Sequence, residues 1–412
     1  MMHDIRLATS RTRWSRFIAG VALLAFTTGT LLVVTESSLS ASTSTSLPAH
    51  TPPSHAPSWN LEHVAFLTST VGYGVFQRKS WTGQSCEDFV GKTGDGGVHF
   101  TSLVRAMSWN CNRSFFDSSL VVDGYGDGYL FGPSLFVTHD AGASWTRSTS
   151  VDPVLAVDAI GRSVWLVEST CTNSQLTTYY DCRAKLLESA NGGRTWSTLS
   201  SLPKLLVDTG EASANGQTYL VRVSKLDAYV LGRPPENVRG KPVAAPLWFT
   251  SNGGRTWSNR QIPCGLNANS AVLAAAPDGT LEAVCAGGPS AGFQPKSALR
   301  STNGGRSWAM KARCVVTRPK SCSSELNSGY LGQIVALTSR TDFEVGDRSL
   351  LLVTHDGGAR WLAVKPYVGA AGGTSQVLFF NRSVGVVVVG YQNQLLVTSD
   401  GGQTWRRIVG ER

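Results

Sequence analysis

One eight-residue motif recurs seven times along this 412-residue chain. It reads Ser or Thr, any residue, Asp or Asn, a small residue, Gly, two variable residues and an aromatic. The copies occupy 93–100, 138–145, 189–196, 250–257, 301–308, 354–361 and 398–405. Successive starts lie 45, 51, 61, 51, 53 and 44 residues apart. A β-rich unit of roughly 40–50 residues is the signature of a propeller blade. The expected fold is therefore all-β, a seven-bladed β-propeller forming one domain over 59–412.

The residue types of the motif point to a turn. Asp or Asn accepts backbone N–H bonds across it, and the glycines tolerate positive φ. The aromatic is a plate that can pack between neighbouring sheets. Asp95, Asp140, Asn191, Asn252, Asn303, Asp356 and Asp400 are accordingly expected to shape the fold. So are Phe100, Trp145, Trp196, Trp257, Trp308, Trp361 and Trp405. The first copy is the most degenerate, with Phe100 in place of Trp.

The last unit shows the strand pattern. Residues 375–381 read as a first strand, 385–390 as an apolar second and 394–398 as a third, and Trp405 opens a fourth. The motif then lies between the third and fourth strands, on the same face as the turn between the first and second. The loops between second and third strands, and the links between blades, lie on the opposite face. Only 406–412 follow Trp405, so ring closure is expected to draw on residues near Trp59.

The first 58 residues differ from the rest. Arg6, Arg11, Arg13 and Arg16 precede an uncharged run of 18 residues from Phe17 to Val34. A basic flank followed by an apolar run of this length is a signal peptide or membrane anchor helix, with the arginines left on the cytoplasmic side. Residues 1–16 form the basic region and 17–35 the apolar segment. Residues 36–58 form a Ser/Thr/Pro-rich linker. The propeller is thereby expected outside the cytoplasm, secreted or tethered by this helix. The net charge of +9 suits an acidic partner or surface, and no nucleic-acid motif is present.

Eight cysteines in an exported chain read as disulfides. Neighbour pairing gives Cys86–Cys111, Cys171–Cys182, Cys264–Cys285 and Cys314–Cys322. All eight fall on or near the face opposite the motifs, where each bridge would stabilise by about 2–4 kcal/mol. Rigid loops of this kind suit a binding surface. Aromatic and basic residues of the same segments are candidate ligand contacts: Trp81, Trp109, Tyr179, Tyr180 and Tyr330, with Arg233, Arg239, Lys241, Arg318 and Lys320.

Catalytic chemistry is less well supported. Glycoside hydrolysis needs two placed carboxylates or a Tyr nucleophile, and the loop-face acids are Glu87, Asp88 and Asp181. The sialidase Arg-Ile-Pro signature is missing, since Gln261-Ile-Pro263 lacks the Arg. Residues 123–128, Asp-Gly-Tyr-Gly-Asp-Gly, faintly suggest a calcium loop. Tyr125 and Ser134 stand where that loop needs oxygen ligands, so a Gly-rich turn is the better reading. No cofactor or metal is implied.

With its boxes quoted, the chain resembles Asp-box (bacterial neuraminidase repeat) propellers of the sialidase-like superfamily. Over 59–412 it is similar to the photosystem II stability/assembly factor-like proteins. Second strands beginning Gly72-Tyr-Gly-Val75 and Gly385-Val-Val-Val388 strengthen that likeness. The resemblance implies an exported monomer that binds an assembly intermediate of a membrane complex, with the boxes on the face away from the ligand. The expected function is a non-enzymatic binding or scaffold propeller that recognises a protein or a glycan. The alternative is a carbohydrate-active enzyme.

Overall fold

A computed structural model describes residues 59–80, 85–110, 118–148, 151, 153–173, 179–202, 205–208, 220–235, 241–289, 292–313, 325–346, 348–365, 368, 373–389 and 394–408. Over 170–182 and 205–208 only the backbone is described. The leader, anchor and linker of 1–58 lie outside the described residues.

Seven antiparallel sheets follow one another in sequence, each with its first four strands in consecutive order. Blade one runs Trp59–Phe66, Gly72–Lys79, Cys86–Thr93 and Thr101–Trp109. Blade seven runs Gln376–Phe379, Gly385–Val389, Gln394–Thr398 and Arg406–Ile408. The ring is an all-β, seven-bladed propeller. First strands of adjacent blades touch, which places them innermost.

A hydrogen bond in six blades fixes the relation of motif to turn. The N–H of the motif's fourth residue donates to a carbonyl of the first-to-second turn of its own blade. The pairs are Gly96 to Thr70, Ala141 to Gly126, Gly192 to Arg162, Gly253 to Leu226, Gly357 to Arg340 and Gly401 to Ser383. Boxes and first turns thus share one face.

The core is divided among the seams between blades. Each of seven apolar clusters spans two neighbouring blades and receives one box aromatic from the later blade. Trp145 packs with Tyr73 and Leu130, Trp196 with Tyr129 and Val164, and Trp257 with Trp165 and Val230. Trp308 packs with the Tyr229 cluster, Trp361 with Val284 and Leu352, and Trp405 with Phe343 and Val387. Phe100 fills the same role between blades seven and one, beside Leu61, Val64 and Val386. Truncating a buried plate of this size to Ala costs about 3–5 kcal/mol.

Closure uses His63 and Val64, close to Trp59. Blade one is complete within 59–109, and blade seven takes all four strands from the C-terminal segment, so the chain ends share no blade. The joint is made by side chains. The Gln376 side chain accepts from Val64 N at 2.9 Å and donates to Val64 O at 3.1 Å, as a backbone amide would. Its Nε2 also lies 2.9 Å from His63 Nε2. Gln333 makes the corresponding bond to Val377 N at 3.1 Å between blades six and seven.

Two local features escape a blade-by-blade reading. Cys264 lies inside the fourth strand of blade four, Ser258–Leu266, and not in a link between blades. That strand passes into the next blade through Asn267 alone, whose φ is 63°. Blade three gains a fifth strand, Leu205–Asp208, paired to the extended hairpin of Ser163–Asn173 and Tyr179–Ser189.

Burial pushes the His63 imidazole down from 6.5 to about 3. As pH falls below about 6.5 the unfolded chain takes up this proton before the ring does, so stability falls with acid until about pH 3. Gln376→Leu should lower the denaturant midpoint at pH 7, because it leaves the Val64 amide groups unpaired at about 1–3 kcal/mol each. His63→Leu should flatten the decline between pH 6.5 and 4. Unchanged midpoints for both variants would show that the Gln376 contact does not hold the joint.

Candidate functional site

The box side chains bond largely within their own turns. In every box the Ser or Thr hydroxyl accepts from the second glycine's N–H, from Thr93 to Gly97 at 2.8 Å through Thr398 to Gly402 at 2.9 Å. The Asp or Asn Oδ1 accepts from that hydroxyl and from the N–H four residues on, as Asn303 does at 3.0 Å in both cases. Both glycines sit at positive φ, 69° and 77° for Gly304 and Gly305. A Cβ on Gly402 would lie 2.4 Å from the Phe343 ring, so the second position also needs a bare Cα.

The hydrogen bonds explain the acidity of the boxes. Bonds from Ser144 and Thr138 hold the Asp140 carboxyl at about 2, and bonds from Thr404 and Thr398 hold Asp400 at about 2. Asp95 is lowered by His99, through its backbone N–H and its ring, which lies 2.7 Å away. Groups held this way keep their charge and their bonds at neutral pH, which suits turns and not proton transfer.

The opposite face carries the disulfides. Cys264 and Cys285 are joined at 2.00 Å, stapling the fourth strand of blade four to the second strand of blade five. Cys86 is also disulfide-bonded. Its expected partner Cys111 lies outside the described residues, as do Cys314 and Cys322. The backbone register sets Cys171 directly opposite Cys182.

The candidate contacts divide. Trp81, Arg239, Arg318 and Lys320 lie outside the described residues. Tyr179 and Tyr180 belong to the hairpin strand that pairs with Val207 and Asp208. Lys241 is exposed. Arg233 and Tyr330, read as ligand contacts, are instead only 4% and 8% exposed. Arg233 Nε bonds to Asn269 O, and Tyr330 packs under the Arg348 guanidinium at 5.5 Å. Arg233 ties the second-to-third loop of blade four to blade five, and Tyr330 ties the link after blade five to blade six, roles that a loop sequence does not reveal.

Two of the loop-face acids, Glu87 and Asp88, are committed too. Asp88 is fully buried and accepts from Trp109 Nε1 at 2.8 Å and from Ser118 Oγ. Glu87 pairs with Arg78 and, at 3.1 Å, with Arg105, and those bonds lower its pKa. Asp181 lies opposite Thr172 and Leu206 in the blade-three hairpin. The suspected calcium loop is a turn on the box side. Asp123 Oδ1 caps the N–H groups of Tyr125 and Asp127 at 2.9 and 3.0 Å, while Asp127 pairs with His139 at 2.8 Å.

No protein-family model matches the chain, and no curated protein does. Solved structures match in fold. "YCF48 bound to D1 peptide" aligns over 83% of this chain and 94% of its own, with 16% identity and a TM-score of 0.50. YCF48 from Cyanidioschyzon merolae aligns over 84% and 97%, at 15% identity and a TM-score of 0.46. A polysaccharide lyase, an ulvan lyase bound to -[GlcA(1-4)Rha3S]-, covers 83% and 92% at 8% identity and 0.46. At these identities the likeness is one of fold alone, and function must be argued from the site.

Asp400→Ala should lower thermal stability by freeing Thr398 and Thr404 from the box, without altering binding on the opposite face. Lost binding at an unchanged melting temperature would reverse the assignment of faces. A non-reducing peptide map should recover Cys171 linked to Cys182, and free thiols at both would refute the pairing.

Proposed function

We propose that this chain is a non-enzymatic binding or scaffold propeller working outside the cytoplasm, a secreted or membrane-tethered monomer. It holds a protein segment on the face opposite the boxes. The observation that carries this reading is the state of Glu87 and Asp88. Glu87 is spent on arginines inside blade one, and Asp88 on Trp109 and on Ser118 at the entry to blade two. A carboxylate so engaged supplies rigidity in place of general acid or base chemistry.

Three further features support it. The interblade Cys264–Cys285 bridge belongs to an oxidising compartment and stiffens the loop face. The basic-then-apolar leader matches export. The YCF48 structure with a bound D1 peptide shows that a ring of this fold can carry a peptide. A rigid scaffold limits the ordering cost to the incoming segment.

Site-specific photocrosslinking in the native envelope tests the proposal. A crosslinker at Lys241 of the full-length chain should give one dominant protein adduct, and a crosslinker at Arg306 on the box face should not. Adducts from Arg306 alone would place binding on the wrong face. Selective depolymerisation of an anionic or neutral glycan by the purified chain would replace the binding reading with an enzymatic one.

A further inference from the structure

The seam between blades five and six is built differently from its neighbours. One second-strand position lies beside the residue paired with the box Ser or Thr. Around the ring it holds Tyr73, Tyr129, Trp165, Tyr229, Glu282, Phe343 and Val386. Five of the seven are aromatic, and in blade five the position is a carboxyl. Glu282 lies where the next blade's box backbone comes down, so that a Cβ on Gly358 would meet its Oε1 at 2.3 Å. Gly357 covers Arg300 in the same way.

A second acid completes the cluster. Asp342 stands in blade six where blades one, two and seven carry glycine opposite the box hydroxyl, at Gly72, Gly128 and Gly385. Glu282 and Asp342 are 1% and 0% exposed. Arg300 Nε approaches Glu282 Oε2 at 3.8 Å. All four carboxyl oxygens and Arg300 Nη2 lack a hydrogen-bond partner among the described residues. The same seam contains a balanced pair for contrast. Lys296 Nζ bonds Glu344 Oε1 at 3.0 Å and Ser328 O at 2.9 Å, both side chains being fully buried.

The charge count differs between the two. Lys296 and Glu344 sum to zero. Two carboxylates against one guanidinium leave one uncompensated negative charge in a water-excluded space, which is costly. One added proton removes it. The other charged groups around the pair do not supply a second cation inside the seam. Lys311 is exposed on blade five's fourth strand, and blade six's Asp356 is bound into its own turn by Arg360 N and Thr354. We propose that a proton held on the Glu282–Asp342 pair latches blade six's box onto blade five, and that its loss loosens this seam while the other six stay shut.

The electrostatics run in the same direction. Burial, with Asp342 second, pushes Glu282 up to about 9, and burial pushes Asp342 up to about 7. A raised carboxyl stabilises the fold fully below its ordinary value near 4, and that contribution drains away as pH rises to about 9. Because coupled groups titrate as a pair, the loss belongs to the cluster and not to either acid alone.

Hydrogen exchange on the full-length chain from pH 6 to pH 10 tests the latch. Protection at Gly357 and Gly358 is compared with protection at Gly401 and Gly402 in the next box, after correction for base-catalysed exchange. The expected result is at least a tenfold fall in protection at the blade-six box across this range, with the blade-seven box unchanged. Glu282→Gln should abolish that difference. Glu282→Phe, which restores the aromatic of the neighbouring blades, provides a second neutral variant if the amide does not fold. Parallel behaviour of the two boxes in the wild type, or an undiminished pH response in either folded variant, would overturn the proposal.

Discussion

A box aromatic seated in the seam to the preceding blade is the contact on which this ring depends. Seven antiparallel sheets have no hydrogen bonds to offer one another face to face, so cohesion must come from side chains between them. The plate is delivered by a turn that spends its hydroxyl and its Asp or Asn oxygen internally. The hydroxyl takes the glycine N–H, and the Asp or Asn oxygen takes the hydroxyl and a further N–H. Such a turn brings paired side-chain oxygens to its neighbour, and the glycines remove the Cβ atoms that would hold it off. Energetically, each blade is an incomplete unit that is stable only against the next.

This dependence explains what could be read from the sequence. The period of the boxes, their identity and the alternation around them specify blades, faces and plates, because those residues act within a few positions of each other. The ring did not need long-range inference for its interior, only the repetition of a local rule. Interblade contacts were less legible. Arg233 and Tyr330 look like free loop residues in the sequence, but Arg233 reaches into blade five and Tyr330 lies between Gly292 of blade five and Arg348 of blade six. The Gln376 clamp joins residues 312 positions apart and has no local signature.

Departures from the repeat were the other blind spot, although the signal was present. Aligning blades by their box hydroxyls exposes Glu282 among mostly aromatic residues and Asp342 among glycine and aliphatic residues, two acids where the architecture asks for none. The fifth strand of blade three and the single-residue passage at Asn267 likewise interrupt the period. Repetition makes the common plan visible and hides the exceptions, and the unbalanced acid pair of Glu282 and Asp342 sits at two of them.

The absence of a shared closing strand has a consequence for the chain as it is made. Six seams join blades that are neighbours in sequence, and each can form as soon as the later blade leaves the ribosome or translocation channel. The seventh must wait for Gln376, Val386 and Ile408 to find the flank of blade one. Until then Leu61, Val64, Phe76 and Phe100 present an apolar surface at the open end of the arc. A stalled or truncated chain would display that surface permanently, giving chaperones and proteases a marker of incompleteness that vanishes when the last blade docks.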